Sequence, residues 1–305
     1  MSQAELNRIV INMDHDCHMA NDNIINWWIM KMCFDFYEVD PDFALFFFST
    51  YVLHRFQELG IEKEETKARL SKWLRYSVNL FDYKFIVLPY FKDVHWSIIV
   101  VVNPLCLLYG ASCSTTGAVE EGWVKHLDSS PGLHKSVDCC LLVSTILNVF
   151  HHRMSTRKGR YVDAEWNETL EAITCRVTKG YIQPDNYRQQ NGYDCGFYAL
   201  ISLRQFLQLE SLVAKGRSSS SSWSAIIRRY SSVDIVSILR SDMAACVANL
   251  TEKYREVDPD TYYLADLQTG LNIKINCFKG EYPSLLIKQT CLGPNSDSFT
   301  VRLYQ

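Results

Sequence analysis

Gln189-Gln190-Asn191-Gly192-Tyr193-Asp194-Cys195-Gly196 places a polar, glycine-containing turn directly ahead of an apolar run, Phe197-Tyr198-Ala199-Leu200-Ile201-Ser202-Leu203-Arg204-Gln205-Phe206-Leu207. The run is apolar nearly all round and has few breakers, as in a buried helix. Asp194 can cap that helix, which puts Cys195 at its N-terminus. Partial positive charge at a helix start favours thiolate over thiol. A free thiol titrates near roughly 8.5, so attack at neutral pH needs such help. Gln189, upstream in the same turn, can offer an amide N–H to a developing oxyanion. A cysteine that only packs a core has no use for this cluster of polar and turn residues.

Working backward, His95-Trp96-Ser97-Ile98-Ile99-Val100-Val101-Val102 is strongly β-branched and reads as a central strand that His95 begins. Lys84-Phe85-Ile86-Val87-Leu88-Pro89 reads as a short strand ended by proline, with a turn over 90–94. Trp123-Val124-Lys125-His126-Leu127-Asp128 is a further strand, closing on Asp128 before the turn Ser129-Ser130-Pro131-Gly132. Between these strands, 103–122 reads as a long surface loop.

Asn21-Asp22-Asn23 offers caps for an apolar helix from Ile24 to Phe34. The stretch 43–56 is aromatic-rich and is compatible with a strand entering a helix. A charged amphipathic helix is expected over 62–76, with Leu70, Trp73 and Leu74 inward. Ser136 is expected to cap a helix through Phe150, with Val137, Cys140, Leu141, Ile146, Leu147 and Phe150 on its apolar face. The basic stretch 151–160 is expected to be solvated, 165–172 a short helix and 174–181 a strand. Residues 217–222 read as a serine-rich loop, 232–254 as a helix, and 271–278, 285–291 and 299–304 as strands.

Composition bounds the function classes. The chain has 305 residues, 48% hydrophobic, enough for a large core, and a formal net charge of −3. That balance speaks against nucleic-acid binding by charge alone. No apolar run approaches the roughly 18 residues of a membrane span. Eleven cysteines without a CxxC pair, and no signal-peptide pattern at the start, point to free thiols in a reducing compartment, nucleus or cytoplasm. His15, Cys17 and His18 lack a second ligand pair, and there is no phosphate-cradling glycine loop, so neither a metal nor another cofactor is expected.

His95, Asp128, Gln189 and Cys195 thus form an ordered set at strand ends and a helix start. A cysteine hydrolase needs such a set: an imidazole to take the thiol proton, a carboxylate to hold the imidazole, and an amide for the oxyanion. These motifs, in this order, resemble the SUMO-specific proteases of the Ulp/SENP family. The resemblance rests on His95-Trp96, on Leu127-Asp128-Ser129, on Gln189-x-Asn191-x-x-Asp194-Cys195-Gly196, and on Asn21-Asp22-x-Ile24-Ile25-Asn26. Trp73 and the approach from Leu80-Phe81-Asp82 to Pro89 are similar too, so about 21–209 is covered. The 103–122 insertion and the run from Leu127 to His134 look most like the branch with an insertion between histidine and aspartate.

The resemblance implies an α/β, papain-like cysteine protease fold with a central mixed sheet flanked by helices. It implies a protease domain over 1–250, with 251–305 an unmatched and β-rich extension. It also implies cleavage after the terminal Gly-Gly of a ubiquitin-like modifier, SUMO first, by a monomer without nucleic-acid or membrane partners. Catalysis would fall to His95, Asp128, Cys195 and Gln189, and substrate binding to Trp96, Asp22 and Met19. The family usually has Trp where this chain has Met19, so the lid over the modifier's tail is thinner. The competing readings are a deneddylase or an acyltransferase on the same scaffold, and a modifier-binding adaptor without chemistry. The intact set of four argues against the last.

Overall fold

The computed structural model describes residues 19–39, 45–61, 63–73, 79–110, 121–155, 169–214 and 235–253, and four short strands beyond. The elements run α1 (Asp22–Val39), β1 (Leu45–Phe47), α2 (Thr50–Leu59), α3 (Glu64–Trp73), β2 (Phe85–Lys92) and β3 (His95–Val102). They continue with α4 (Pro104–Tyr109), β4 (Trp123–Leu127), α5 (Ser136–Ser155), α6 (Leu170–Gly180), β5 (Tyr181–Ile182), α7 (Cys195–Ala214) and α8 (Ile235–Lys253). Strands β1 to β5 form one mixed sheet in sequence order, with β1–β2 and β4–β5 parallel and the two central pairs antiparallel. Helices cover both of its faces, so the α/β fold expected from the sequence is the one adopted.

The period of two along the central strands sorts their core side chains between two clusters. Trp96, Ile98, Val100 and Val102 of β3 pack with α1, α7 and α8. Ile99 and Val101 pack with α2, α4, α5 and α6. A strand buried on both faces reads as an unbroken apolar run, which is why β3 was legible without alternation. The strand entering a helix over 43–56 is present as β1 and α2. The turn between them is fixed by Ser49, whose side chain accepts from Tyr51 N, and by Asn26, which exchanges hydrogen bonds with Thr50.

Several expected boundaries moved. Pro89 does not end its strand, because β1 runs beside β2 only from Phe85 to Val87 and that edge then carries no ladder for a proline to break. The β2–β3 hairpin turns on two residues, Asp93 (φ 52°) and Val94 (φ 59°), between the paired Lys92 and His95. The start of the 103–122 loop is the short helix α4, with Pro104 in its first turn and Cys106, Leu107 and Leu108 buried.

Further along, Lys135 rather than Ser136 accepts the first helical hydrogen bonds of α5, from Asp138 and Cys139 N. Val137 is 72% exposed, not inward. The helix runs on to Ser155 and buries His151 and Arg153, whose guanidinium lies over the Phe150 ring, so those residues are not solvated. The strand expected over 174–181 is helix α6. Its buried Ile173, Val177 and Gly180 recur at helical spacing, and only Tyr181 and Ile182 are extended.

In α3, Leu70 is buried as expected. Helix 232–254 appears as α8. The C-terminal strands expected near 271–278, 285–291 and 299–304 occur at 272–276, 284–286 and 302–304, and 272–276 pairs antiparallel with 261–265. Residues 15, 17, 18 and 217–222, and the side chains of Trp73 and Leu74, lie outside what the structure describes.

Phe150, fully buried and edge-on to Phe48, anchors the core on the α5 side, a different cluster from the one that holds Cys195. Phe150→Ala is expected to cost about 3–5 kcal/mol in urea unfolding.

Candidate active site

Helix α7 starts at Cys195, with Tyr198 N bonded to the backbone carbonyl of Asp194 at 3.0 Å. Asp194 therefore caps the helix through its backbone. Its carboxylate serves elsewhere: Oδ2 accepts from Asn191 Nδ2 (2.8 Å) and Oδ1 from Arg240 Nη2 (2.6 Å). Asn191 shapes the turn, its Oδ1 accepting from the backbone N–H of Tyr193 and Asp194. Gly196 is required by proximity, since a Cβ there would stand 2.7 Å from that of Ala20.

The structure brings His95, Asp128 and Cys195 together in a buried site. His95 Nε2 lies 2.7 Å from Asp128 Oδ1, and His95 is also hydrogen-bonded to Cys195. The three residues are 3%, 1% and 1% exposed. Burial alone would lower the His95 pKa. The hydrogen bonds to Asp128 and Cys195, and their negative charges, outweigh it and raise it to about 9. Burial likewise opposes ionisation of Asp128, but the His95 hydrogen bond and the Ser130 N–H hold its carboxyl below the ordinary value. The imidazole is thus set to hold its proton as an imidazolium beside the Asp128 carboxylate.

Gln189 is fixed in the same loop. Its Oε1 accepts from Ser129 Oγ (2.8 Å), and its Nε2 donates to the Asn191 carbonyl (2.9 Å). That uses one of its two amide hydrogens. Trp96 packs against Gly196, and its Nε1 donates to the Ala20 carbonyl at 3.0 Å. The segment before α1 is thereby tied across the start of α7. Met19 is half-buried against the core that holds Trp96 and Cys195. Asp22 opens α1, partly exposed, while Asn21 Oδ1 caps that helix at Ile24 N.

Behind the triad lies a second polar group that sequence reasoning left without a role. Tyr181 Oη is 2.7 Å from His126 Nδ1, and His126 Nε2 is 2.8 Å from Ser97 Oγ. Ser97 Oγ is 2.8 Å from His134 Nδ1, and His134 Nε2 is 3.0 Å from the Lys92 carbonyl. A carbonyl can only accept, so His134 carries its proton on Nε2 and the direction of the whole chain follows. Tyr181 donates to His126, His126 to Ser97, Ser97 to His134, and His134 to Lys92. Both imidazoles are neutral in this arrangement. The period of two was the available signal: residues 95 and 97 share one face of β3, and 126 and 128 share a face across β4.

The donor atoms of His95, Asp128 and His134 lie within 4.8 Å of one another. The set does not fit a metal ion. Both His134 nitrogens are already engaged, and the 2.7 Å contact between His95 and Asp128 leaves no room for an ion between them.

Comparison with known proteins gives this geometry a family. Residues 41–241 match the Ulp1 protease family, C-terminal catalytic domain, and the chain belongs to that family. The probable ubiquitin-like-specific protease 2B of Arabidopsis thaliana is 26% identical over 199 residues, 62% of this chain and 19% of that protein. Sentrin-specific protease 2 of Pongo abelii is 26% identical over 139 residues, 45% of this chain and 22% of that protein. The chain therefore spans about a fifth of the length of these two relatives. The crystal structure of a de-sumoylating protease superposes with a TM-score of 0.58 at 13% identity, covering 84% of this chain and 90% of that one, a likeness of fold.

The neutral histidines make stability depend on pH. Burial chiefly, with the charges of His134 and His95 adding and Asp128 opposing, lowers His126 from 6.5 to about 4. His134 is lowered as well, again mainly by burial. Between those values the unfolded chain binds the proton that the fold refuses. The stabilisation is therefore full above about pH 6.5 and is lost as pH falls through about 4. His95 has the opposite sign: its contribution is full below 6.5 and is lost as pH rises through about 9. Urea unfolding at pH 7 and pH 5 should show wild type losing on the order of 2 kcal/mol through His126. His126→Asn should show a correspondingly smaller loss.

Proposed function

We propose that the chain is a cysteine protease that cleaves after the C-terminal Gly-Gly of a ubiquitin-like modifier, SUMO first, releasing it from a lysine or from its precursor. The observation that carries this reading is His95 held between Asp128 and Cys195 at the start of α7, on a chain of the Ulp1 family. Cys195 supplies the thiolate, His95 its proton acceptor and later the proton for the leaving amine, and Asp128 holds the ring. Gln189 would turn its second amide hydrogen to the oxyanion. Trp96, with Met19, Ala20 and Asp22 near the N-terminal segment, would form the slot for a tail whose glycines present backbone alone.

The names of the relatives support a ubiquitin-like modifier as substrate. Seven free cysteines among the described residues support the proposal of a reducing compartment, nucleus or cytoplasm, where the chain would act as a monomer. Among the described residues no helix is long and apolar enough to cross a membrane. The proposed protease domain over 1–250 is supported by the extent of the family match; 251–305 would be an appendage with strands of its own.

Vinyl-sulfone probes made from SUMO, NEDD8 and ubiquitin test the reading directly. SUMO is expected to crosslink to Cys195, and crosslinking of NEDD8 alone would make the protein a deneddylase. Cys195→Ser should abolish hydrolysis while modifier binding persists. Gln189→Ala should lower turnover by about 10²–10³.

Steady-state cleavage of a modifier–fluorophore substrate checks the slot. Met19→Trp should lower KM by adding a rigid wall. Trp96→Ala should raise KM and lower kcat, because the scissile bond loses its alignment. A neutral Met19→Trp would remove that residue from the slot.

A further inference from the structure

One charged side chain reaches the nucleophile's immediate neighbour from an element that carries no sequence motif. Arg240 lies in α8 and is 4% exposed. Its Nη2 donates to Asp194 Oδ1 at 2.6 Å, and Asp194 is 7% exposed. Its guanidinium stands 3.8 Å from the ring centroid of Phe197, in the first turn of α7, which holds the plane of the fork.

The pair is not needed to dock the helix. Val236, Leu239 and Met243 of α8 are buried in the core that contains Cys195 and Phe197, and they supply the apolar contact. Exchanging a buried ion pair for apolar residues is often neutral or stabilising. What is particular to this pair is its place. Asp194 directly precedes Cys195. A buried, uncompensated carboxylate there would oppose the negative charge that must form on Sγ, and then on the carbonyl oxygen of a bound substrate. It would also loosen the loop, since Asp194 is the end of a hydrogen-bonded series through Asn191 and Gln189 to Ser129.

We propose that Arg240 is a positioning residue for the hydrolytic reaction, acting through Asp194: it cancels the carboxylate charge beside the nucleophile and anchors the 189–195 loop. The proposal rests on the cysteine-protease reading above and deepens it.

Two variants separate charge from hydrogen bonding. Arg240→Gln can still bond Asp194 but carries no charge, and Arg240→Lys keeps the charge. Each is assayed for kcat and KM on the modifier–fluorophore substrate, at a temperature where circular dichroism shows it folded. Site-resolved alkylation of Cys195 by iodoacetamide is followed in parallel by peptide mass. Arg240→Gln is expected to lower kcat at least about tenfold with KM within about twofold, and to slow alkylation, whereas Arg240→Lys stays within about threefold of wild type.

Equal kcat in the two variants would overturn the proposal. So would a loss confined to KM, or alkylation rates that do not differ. If wild type cleaves no modifier substrate, the functional reading fails on its own, and the alkylation rates still decide the role of Arg240.

Discussion

The register between β3 and β4 is the constraint on which the site depends. Ile98 pairs with Leu127, so one further step brings Asp128 opposite Ser97, and His95 becomes its diagonal neighbour on the same face. A slip of one residue would turn Asp128 to the other side of the sheet and leave His95 without its carboxylate. The register is held by burial on both faces: every residue of β3 is buried, and the two cores accept opposite parities of the strand. The placement of His95 against Asp128 is thus a by-product of how Ile98, Ile99, Val100 and Val101 choose their sides.

Electrostatics at the site follows from that placement. His95, Asp128 and Cys195 are all removed from water, where charges interact strongly, and each is kept by a partner of opposite sign or by hydrogen bonds. The same surroundings hold His126 and His134 neutral, since no anion is bonded to either ring. Three histidines within one polar cluster divide into one that carries charge and two that do not, and the difference is the carboxylate of Asp128.

Much of this was legible in the sequence where one residue type has one physical use. The polar turn before an apolar helix located Cys195, and β-branched residues located β3 with His95 at its first position. Strand ends and helix starts are where backbone direction alone aims a side chain, so His95, Asp128 and Cys195 could be grouped from sequence, and the structure places them in contact. Features set by distant partners were not legible. Thr174, Val177 and Thr178 have strand-forming side chains, yet the buried face of α6 makes them helical. Arg153 looked like a solvated base until Phe150 gave its guanidinium a ring to cover. Asp194 suggested a side-chain cap, but its carboxylate is claimed by Arg240, forty-six positions away.

The one-way series from Tyr181 to Lys92 has a consequence of its own. Ser97 and the two neutral rings each give one hydrogen bond and receive one, so reversing any one link requires all to reverse, and the terminal carbonyl forbids that. The two imidazoles therefore share a single tautomeric state that is dictated from the β2–β3 hairpin. Lys92 and His95 flank the two turn residues of that hairpin. The backbone that aims His95 is also the backbone that fixes where the protons of the two imidazoles reside. Nothing in that layer is left to rearrange while His95 gains and loses its own proton.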